Sequence, residues 1–258
     1  MALFLLFVCG LILGSQRSEA EVPVLVELFT SEGCSSCPPA DAFLKRLVSE
    51  QPVPGVQVIA LGQHVDYWDR LGWKDPYSSG DFTRRQQLYG RALGLRSIYT
   101  PQIIVDGHRE MVGSDEDSAL EAIRAAGQSS KGRLAIRWPP RQKSSRKVRI
   151  GVRIESLPDV SGRRELMVAI TEKGLSSDVS RGENAGRVLH HAPTVRLLMN
   201  LGPLPDAGRL PFDIPVRVPW QKTWKREHVQ LVAFVQDRQS RRILAAVTSG
   251  ITETGPMR

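Results

Sequence analysis

Cysteine is scarce in this chain, with 3 among 258 residues. Two of them, Cys34 and Cys37, form a Cys-x-x-Cys pair, and no second such pair exists. That excludes a four-cysteine zinc site, which needs two pairs. Long apolar runs are scarce too. Beyond the first twenty residues no segment is apolar enough for a membrane helix. Zinc-finger spacing, nucleic-acid motifs and basic–aromatic arrays are absent. The net charge of +8 and pI near 9.7, with a local cluster at Arg141, Lys143, Arg146, Lys147 and Arg149, therefore read as a solvated or headgroup-facing basic surface, not a nucleic-acid interface.

Ala2 to Leu13 are almost all apolar, and Ser18-Glu19-Ala20 offers small residues at a cleavage position. The stretch is too short to span a bilayer comfortably and reads as a secretory signal peptide, although no Lys or Arg precedes it. Cys9 lies within it and leaves with it. The expected mature chain is periplasmic or secreted and keeps only the Cys34/Cys37 pair, which suits an oxidising compartment where the pair can cycle.

The stretch that organises the rest is VLVELFTSEGCSSCPPADAFLKRLV, residues 24–48. Val24 to Phe29 is a nearly continuous apolar run, the pattern of a strand covered on both faces. From Pro38 onward Ala40, Phe43, Leu44, Leu47 and Val48 recur at helical spacing. The two cysteines thus stand where a strand turns into a helix. Unpaired N–H groups and the positive end of the helix dipole favour a thiolate there, and a lowered thiol pKa makes a nucleophile and leaving group. A purely structural disulfide would close a tiny loop and constrain the unfolded chain little. Pro38 pushes Cys37 away from helical dihedrals, so the helix is expected to begin at Pro38 with Cys37 flanking it. Which thiol attacks first stays open.

Farther along, Val56 to Leu61 reads as a second buried strand and residues 63–79 as a long aromatic loop. Asp81 to Leu93 reads as a helix, Ile103 to Val112 as a hairpin around Asp106-Gly107, and the run to Ala126 as a helix capped by Ser114 and Asp117. GQSSKG, residues 127–132, has linker composition. Beyond it the pattern turns to strands. Val148, Ile150, Val152 and Ile154 alternate with polar residues, and further strands are expected at Glu165–Thr171, Val216–Val218, Val229–Gln236 and Arg242–Thr248. This predicts three segments: a signal peptide at 1–20, an α/β domain with a mixed sheet and helices on both faces at 21–130, and a β-sandwich-like domain at 131–258.

Other candidate residues follow from position. Glu27 is the one charge in a buried strand just before the motif, where burial would raise its pKa and suit it to proton transfer near a dithiol. His64, Tyr67, Trp68 and Trp73 follow the second strand, at the end from which sheet ligands are approached; they are expected to line a substrate groove or to contribute a metal-binding histidine. His190 and His191, adjacent in sequence, read as surface residues.

The stretches VELFTSEGCSSCPPAD, HVDYWDRLGWKDPYSS, YTPQIIVDG and GENAGRVLHHAPTVRLL together resemble a family of exported bacterial thioredoxin-like proteins catalogued only as a domain of unknown function. The resemblance covers nearly the whole mature chain. It implies a thioredoxin-like fold for the first domain, a redox-type site, and a cis Thr100–Pro101 bond, with Pro101 beside the dithiol and Thr100 next to the bound partner. It supplies no substrate. The leading expectation is an exported thiol–disulfide oxidoreductase acting through Cys34 and Cys37 on a protein or small-molecule thiol or disulfide, with no cofactor. The alternatives are a copper-delivery protein using the same cysteines with His64 or His108, and a partner-binding module in which the dithiol is secondary. GENAGRVLHH is the expected surface by which the second half approaches the cysteines.

Overall fold

The computed structural model describes residues 21–138, 147–159, 162–205 and 210–250. The expected signal peptide, with Cys9, and Arg141, Lys143 and Arg146 of the basic cluster lie outside these. Strand β1 (Val22–Thr30) leads through the cysteine loop into helix α1 (Pro38–Glu50), followed by β2 (Val56–His64), α2 (Gly80–Ala92), β3 (Gln102–Val105), β4 (Arg109–Val112) and α3 (Glu116–Gly127). Then come β5 (Arg133–Arg137), β6 (Lys147–Ser156), β7 (Arg164–Glu172), β8 (Ser176–Val179), β9 (Arg187–His190), β10 (Thr194–Pro203), β11 (Phe212–Pro219), β12 (Val229–Asp237) and β13 (Ile243–Gly250).

The strands do not divide into a thioredoxin-like sheet and a separate sandwich. Eight of them form one mixed sheet in the order β13-β12-β7-β10-β2-β1-β3-β4, and the architecture is mostly β with three α-helices among the described residues. The expected fold class, an α/β thioredoxin-like domain followed by an all-β domain, is corrected accordingly. The joint is β10, which pairs parallel to β2 at Thr194 and Gly62 and antiparallel to β7 along its length. A separate three-stranded sheet, β11-β6-β5, packs on the far half of the large one, and β8 and β9 form a two-stranded arm.

Side-chain alternation explains the layers. In β1, Val24, Val26 and Leu28 face α1 and α3, where they meet Phe43, Leu44, Leu47, Ala119 and Ile123. Leu25 faces the other way. There a core runs unbroken from Leu25, Ile59 and Leu61 past Phe82 of α2 to Met167, Ala169, Val232 and Phe234 of the second half. Strands buried on both faces, such as β7 and β12, carry near-continuous apolar runs, whereas β6 is covered on one face and alternates strictly. Burial of each large apolar side chain contributes about 1.5–3 kcal/mol. The core shared by both halves therefore makes them one body.

Local expectations fare better than the fold class. Helix α1 begins at Pro38 with Cys37 as its N-cap, but Cys37 keeps helical dihedrals, φ −79° and ψ −34°, so Pro38 does not push it away from them as expected. The β3–β4 turn holds Asp106 at φ 49° and Gly107 at φ 73°. A side chain at Gly107 would come within 1.9 Å of the Arg241 carbonyl, so glycine is required there. Helix α3 is capped by Asp115, whose carboxylate accepts from the Ser118 N–H at 3.1 Å, and not by Ser114.

Candidate functional site

Parallel β1 and β2 end side by side, Thr30 opposite His64. The loop that follows β1 carries Cys34 and Cys37, which form a disulfide. As the N-cap, Cys37 makes no side-chain capping bond, and Pro38 and Pro39 occupy the first helical positions. The Cys37 carbonyl accepts from the N–H groups of Ala40 and Asp41 at 3.0 and 3.1 Å. Ser35 and Ser36 are exposed, but the cystine beneath them is not: Cys34 is 0% and Cys37 1% exposed. The Ser36 hydroxyl stands 3.4 Å from Cys34 Sγ.

Two distant segments roof this loop. The first is the aromatic loop after β2. Trp68 packs so closely on Gly33 that a side chain there would meet its Cβ at 3.1 Å, and its indole N–H donates to Thr100 Oγ1 at 2.8 Å. Trp73 donates to Glu32 at 2.6 Å, and Asp75 accepts from the Glu32 N–H at 2.9 Å. Tyr67 donates to Gln86 at 3.2 Å. The polar tips of Tyr67, Trp68 and Trp73 thus bind the protein itself, and all three rings are half-buried.

The second segment joins β8 to β9. Asn184 is fully buried and donates to the carbonyls of Glu32 and Cys34 at 2.8 and 3.0 Å. Glu183 accepts from the Ser35 N–H at 2.9 Å, and hydrogen bonding from the Ser35 side chain, then from its backbone, holds the carboxyl below the usual range. Gly182, at φ 78°, abuts Trp73. GENAGRVLHH accordingly reaches the cysteines, as its composition within a strand-rich half suggested.

Thr100–Pro101 is cis. Pro101 lies beside the first turn of α1, since it and Ala40 both come within 2.9 Å of where a side chain on Gly113 would sit. Glu27 stands elsewhere. It faces α2, on the opposite side of the sheet from α1, where Arg85 grips it at 2.5 and 2.8 Å, Gln63 donates at 2.6 Å and the Tyr89 hydroxyl donates as well. Burial alone would lower the Arg85 guanidinium, but the Glu27 carboxylate outweighs it and raises it. The carboxylate is consumed by this network and is not the proton carrier its place in the sequence suggested. His108 lies in the β3–β4 turn, at the opposite end of β1 from the cysteines, and is not available to them.

His64 belongs to a group that sequence reading missed. Its ring lies 4.9 Å from that of His191, and Tyr77 packs against both. His191 is 4% exposed, not a surface residue, and its Nε2 bonds Glu32 at 2.8 Å. Asp75 holds His64 Nδ1 at 2.6 Å. Burial opposes protonation of His64, but Asp75, Asp41 and Glu32 together raise its pKa; burial raises that of Asp41. No motif spacing links His191 to His64. The only signal was the adjacent pair His190-His191 in an otherwise strand-like half.

A buried disulfide at a helix start, roofed by polar loops of one mostly β body, defines the class. The chain belongs to the family described as "Protein of unknown function (DUF1223)", which matches residues 25–236. It is similar to a protein of Agrobacterium tumefaciens solved by crystallography, at 27% identity and a TM-score of 0.67, covering 93% of this chain and 100% of that one. It shares its fold with HBP35 of Porphyromonas gingivalis, at 13% identity and a TM-score of 0.66 over 92% of this chain and 77% of that one. No curated protein matches it. No helix among the described residues is long and apolar enough to cross a membrane.

Proposed function

We propose that the protein is an exported thiol–disulfide oxidoreductase whose working group is Cys34–Cys37. The observation that carries the reading is the cystine at the N-terminus of α1, where the positive end of the helix dipole favours a released thiolate. A disulfide closing so short a loop adds little to stability, which argues for chemistry. In the oxidising direction, a substrate thiolate attacks one cysteine sulfur. The S–S bond breaks, a mixed disulfide forms, and the other cysteine leaves as a thiolate with the electron pair. A second substrate thiolate then attacks the substrate sulfur of the mixed disulfide. The substrate dithiol is oxidised to a disulfide, the protein is reduced to its dithiol, and two electrons pass between them. In the reverse direction the dithiol reduces a substrate disulfide by the same steps. Pro101 and Thr100 border the approach, and export, read from residues 1–20, places the pair where such cycling is possible.

Burial of both sulfurs sets a condition: a partner gains access only when the roof over Cys34 moves. The test is exchange between the purified protein and a reduced, unfolded protein substrate. Cys34→Ser and Cys37→Ser should each abolish turnover and trap a mixed disulfide through the remaining cysteine, while each melts close to the reduced wild type. Exchange persisting in both variants, or a large loss of stability in either, would overturn the reading.

A further inference from the structure

Asp41, His64 and His191 each offer one ligand atom, and these atoms lie within 4.8 Å of one another. The three residues are 6%, 1% and 4% exposed. Asp41 Oδ1 and His64 Nε2 are buried and have no hydrogen-bond partner among the described residues. Buried polar atoms are almost always satisfied, so two orphans on residues of one cluster argue for an occupant there. A cavity of about 20 Å³ lies against them, lined by Ser31, Asp41, His64 and His191 among others, and it has room for one ion-sized or water-sized occupant.

The surroundings are those of a metal site. Each imidazole is oriented by a carboxylate on its far nitrogen, His64 Nδ1 by Asp75 at 2.6 Å and His191 Nε2 by Glu32 at 2.8 Å. Such carboxylate–histidine pairs fix ring direction and raise ligand basicity. Thr30 donates to the second oxygen of Asp41 at 2.6 Å, so Oδ1 is the oxygen left without a partner among the described residues. The elements are rigid: Asp41 stands in the first turn of α1 and His64 at the end of β2, while His191 is bound by its backbone N–H to the Leu175 carbonyl.

We propose that Asp41, His64 and His191 bind a divalent first-row cation of the zinc class, through Oδ1 of Asp41, Nε2 of His64 and the ring nitrogen of His191 that Glu32 leaves free. Two imidazoles and one carboxylate, with an open fourth position, suit zinc or iron(II) and not calcium or magnesium, which take oxygen ligands. Ligands at about 2.1 Å from zinc stand about 3.4 Å apart in a tetrahedron, so binding draws the three atoms together. The site uses neither cysteine, although the Glu32 that orients His191 belongs to the loop that carries them.

The experiment uses the full chain with Cys34–Cys37 oxidised, titrated with zinc by calorimetry and with cobalt(II) by visible absorption. About one equivalent per chain is expected, with a tetrahedral cobalt spectrum lacking thiolate charge-transfer bands. His64→Ala, His191→Ala and Asp41→Asn should each weaken binding by about 100-fold or more, and Asp75→Asn by about 10- to 100-fold, while His108→Ala, at the opposite end of β1, leaves it unchanged. The cobalt spectrum of the wild type reads ligation directly, so the test survives a variant that fails to fold. Substoichiometric binding to the wild type, thiolate bands, or binding that persists in all three ligand variants would each overturn the proposal.

Discussion

The two halves of the chain meet along two seams of opposite character. On the α2 face the seam is an apolar core crossing from Leu25 to Phe234, with Glu27, Arg85, Tyr89 and Gln236 buried within it. Arg85 also donates to Gln236 at 3.2 Å, so its charge is shared between the halves. On the α1 face, at the cysteine end, the seam is a set of hydrogen bonds between a single loop and Asn184, which donates, Glu183, which accepts from Ser35, and His191. The first seam has no cheap intermediate, because opening it exposes both apolar area and an ion pair. The second can open by exchanging a few hydrogen bonds for water, at about 0.5–1.5 kcal/mol each. On the proposed function, the first seam stays closed while the second opens over the disulfide.

Breaking the first seam should have the largest effect. Arg85→Ala leaves Glu27, fully buried, without its counter-charge, and should lower global stability by about 3–5 kcal/mol in urea unfolding. A loss under about 1 kcal/mol would mean that the network is not what joins the halves.

Breaking the second seam should be smaller and local. Asn184→Ala removes both donors that cover the carbonyls of Glu32 and Cys34. It should cost about 1–3 kcal/mol and should speed reduction of Cys34–Cys37 by a phosphine about tenfold, since 1.4 kcal/mol of opening free energy is a factor of ten. Unchanged reduction kinetics would show that this segment is not the lid.

The smallest effect sharpens the comparison by pH. Glu183, held below its ordinary pKa by Ser35, has its folded value depressed. Its contribution is therefore present above the unfolded pKa and lost as pH falls through the folded one. Phosphine reduction of the disulfide should accelerate below about pH 4.5, the ordinary glutamate range, and this acceleration should vanish in Glu183→Gln. The α2-face seam supplies the control, because Arg85 stays charged throughout this range.

Several features were legible because they are written in neighbouring residues. The run from Val24 to Leu47 shows a strand, a dithiol and a helix in order, since hydrophobic periods of two and 3.6 are local properties of the chain. The proline after Cys37 placed the helix start, and the alternation in β6 placed its buried face. Glu27 misled, because burial without its partner looks like a tuned acid, and Arg85 is identifiable as that partner only once α2 is folded over the sheet.

What the sequence by itself determined was therefore the order strand, dithiol, helix and the buried faces of elements such as β1, α1 and β6, but not the strands β5, β8, β9 and β10. Only the tertiary structure decided that β10 lies beside β2, that Asn184 covers Cys34, and that His191 turns inward beside His64 and Asp41. The reason is physical. Strand neighbours and side-chain clusters remote in sequence are selected by packing and hydrogen-bond completion across the whole fold, and no local period encodes which of two compatible edges a strand will join.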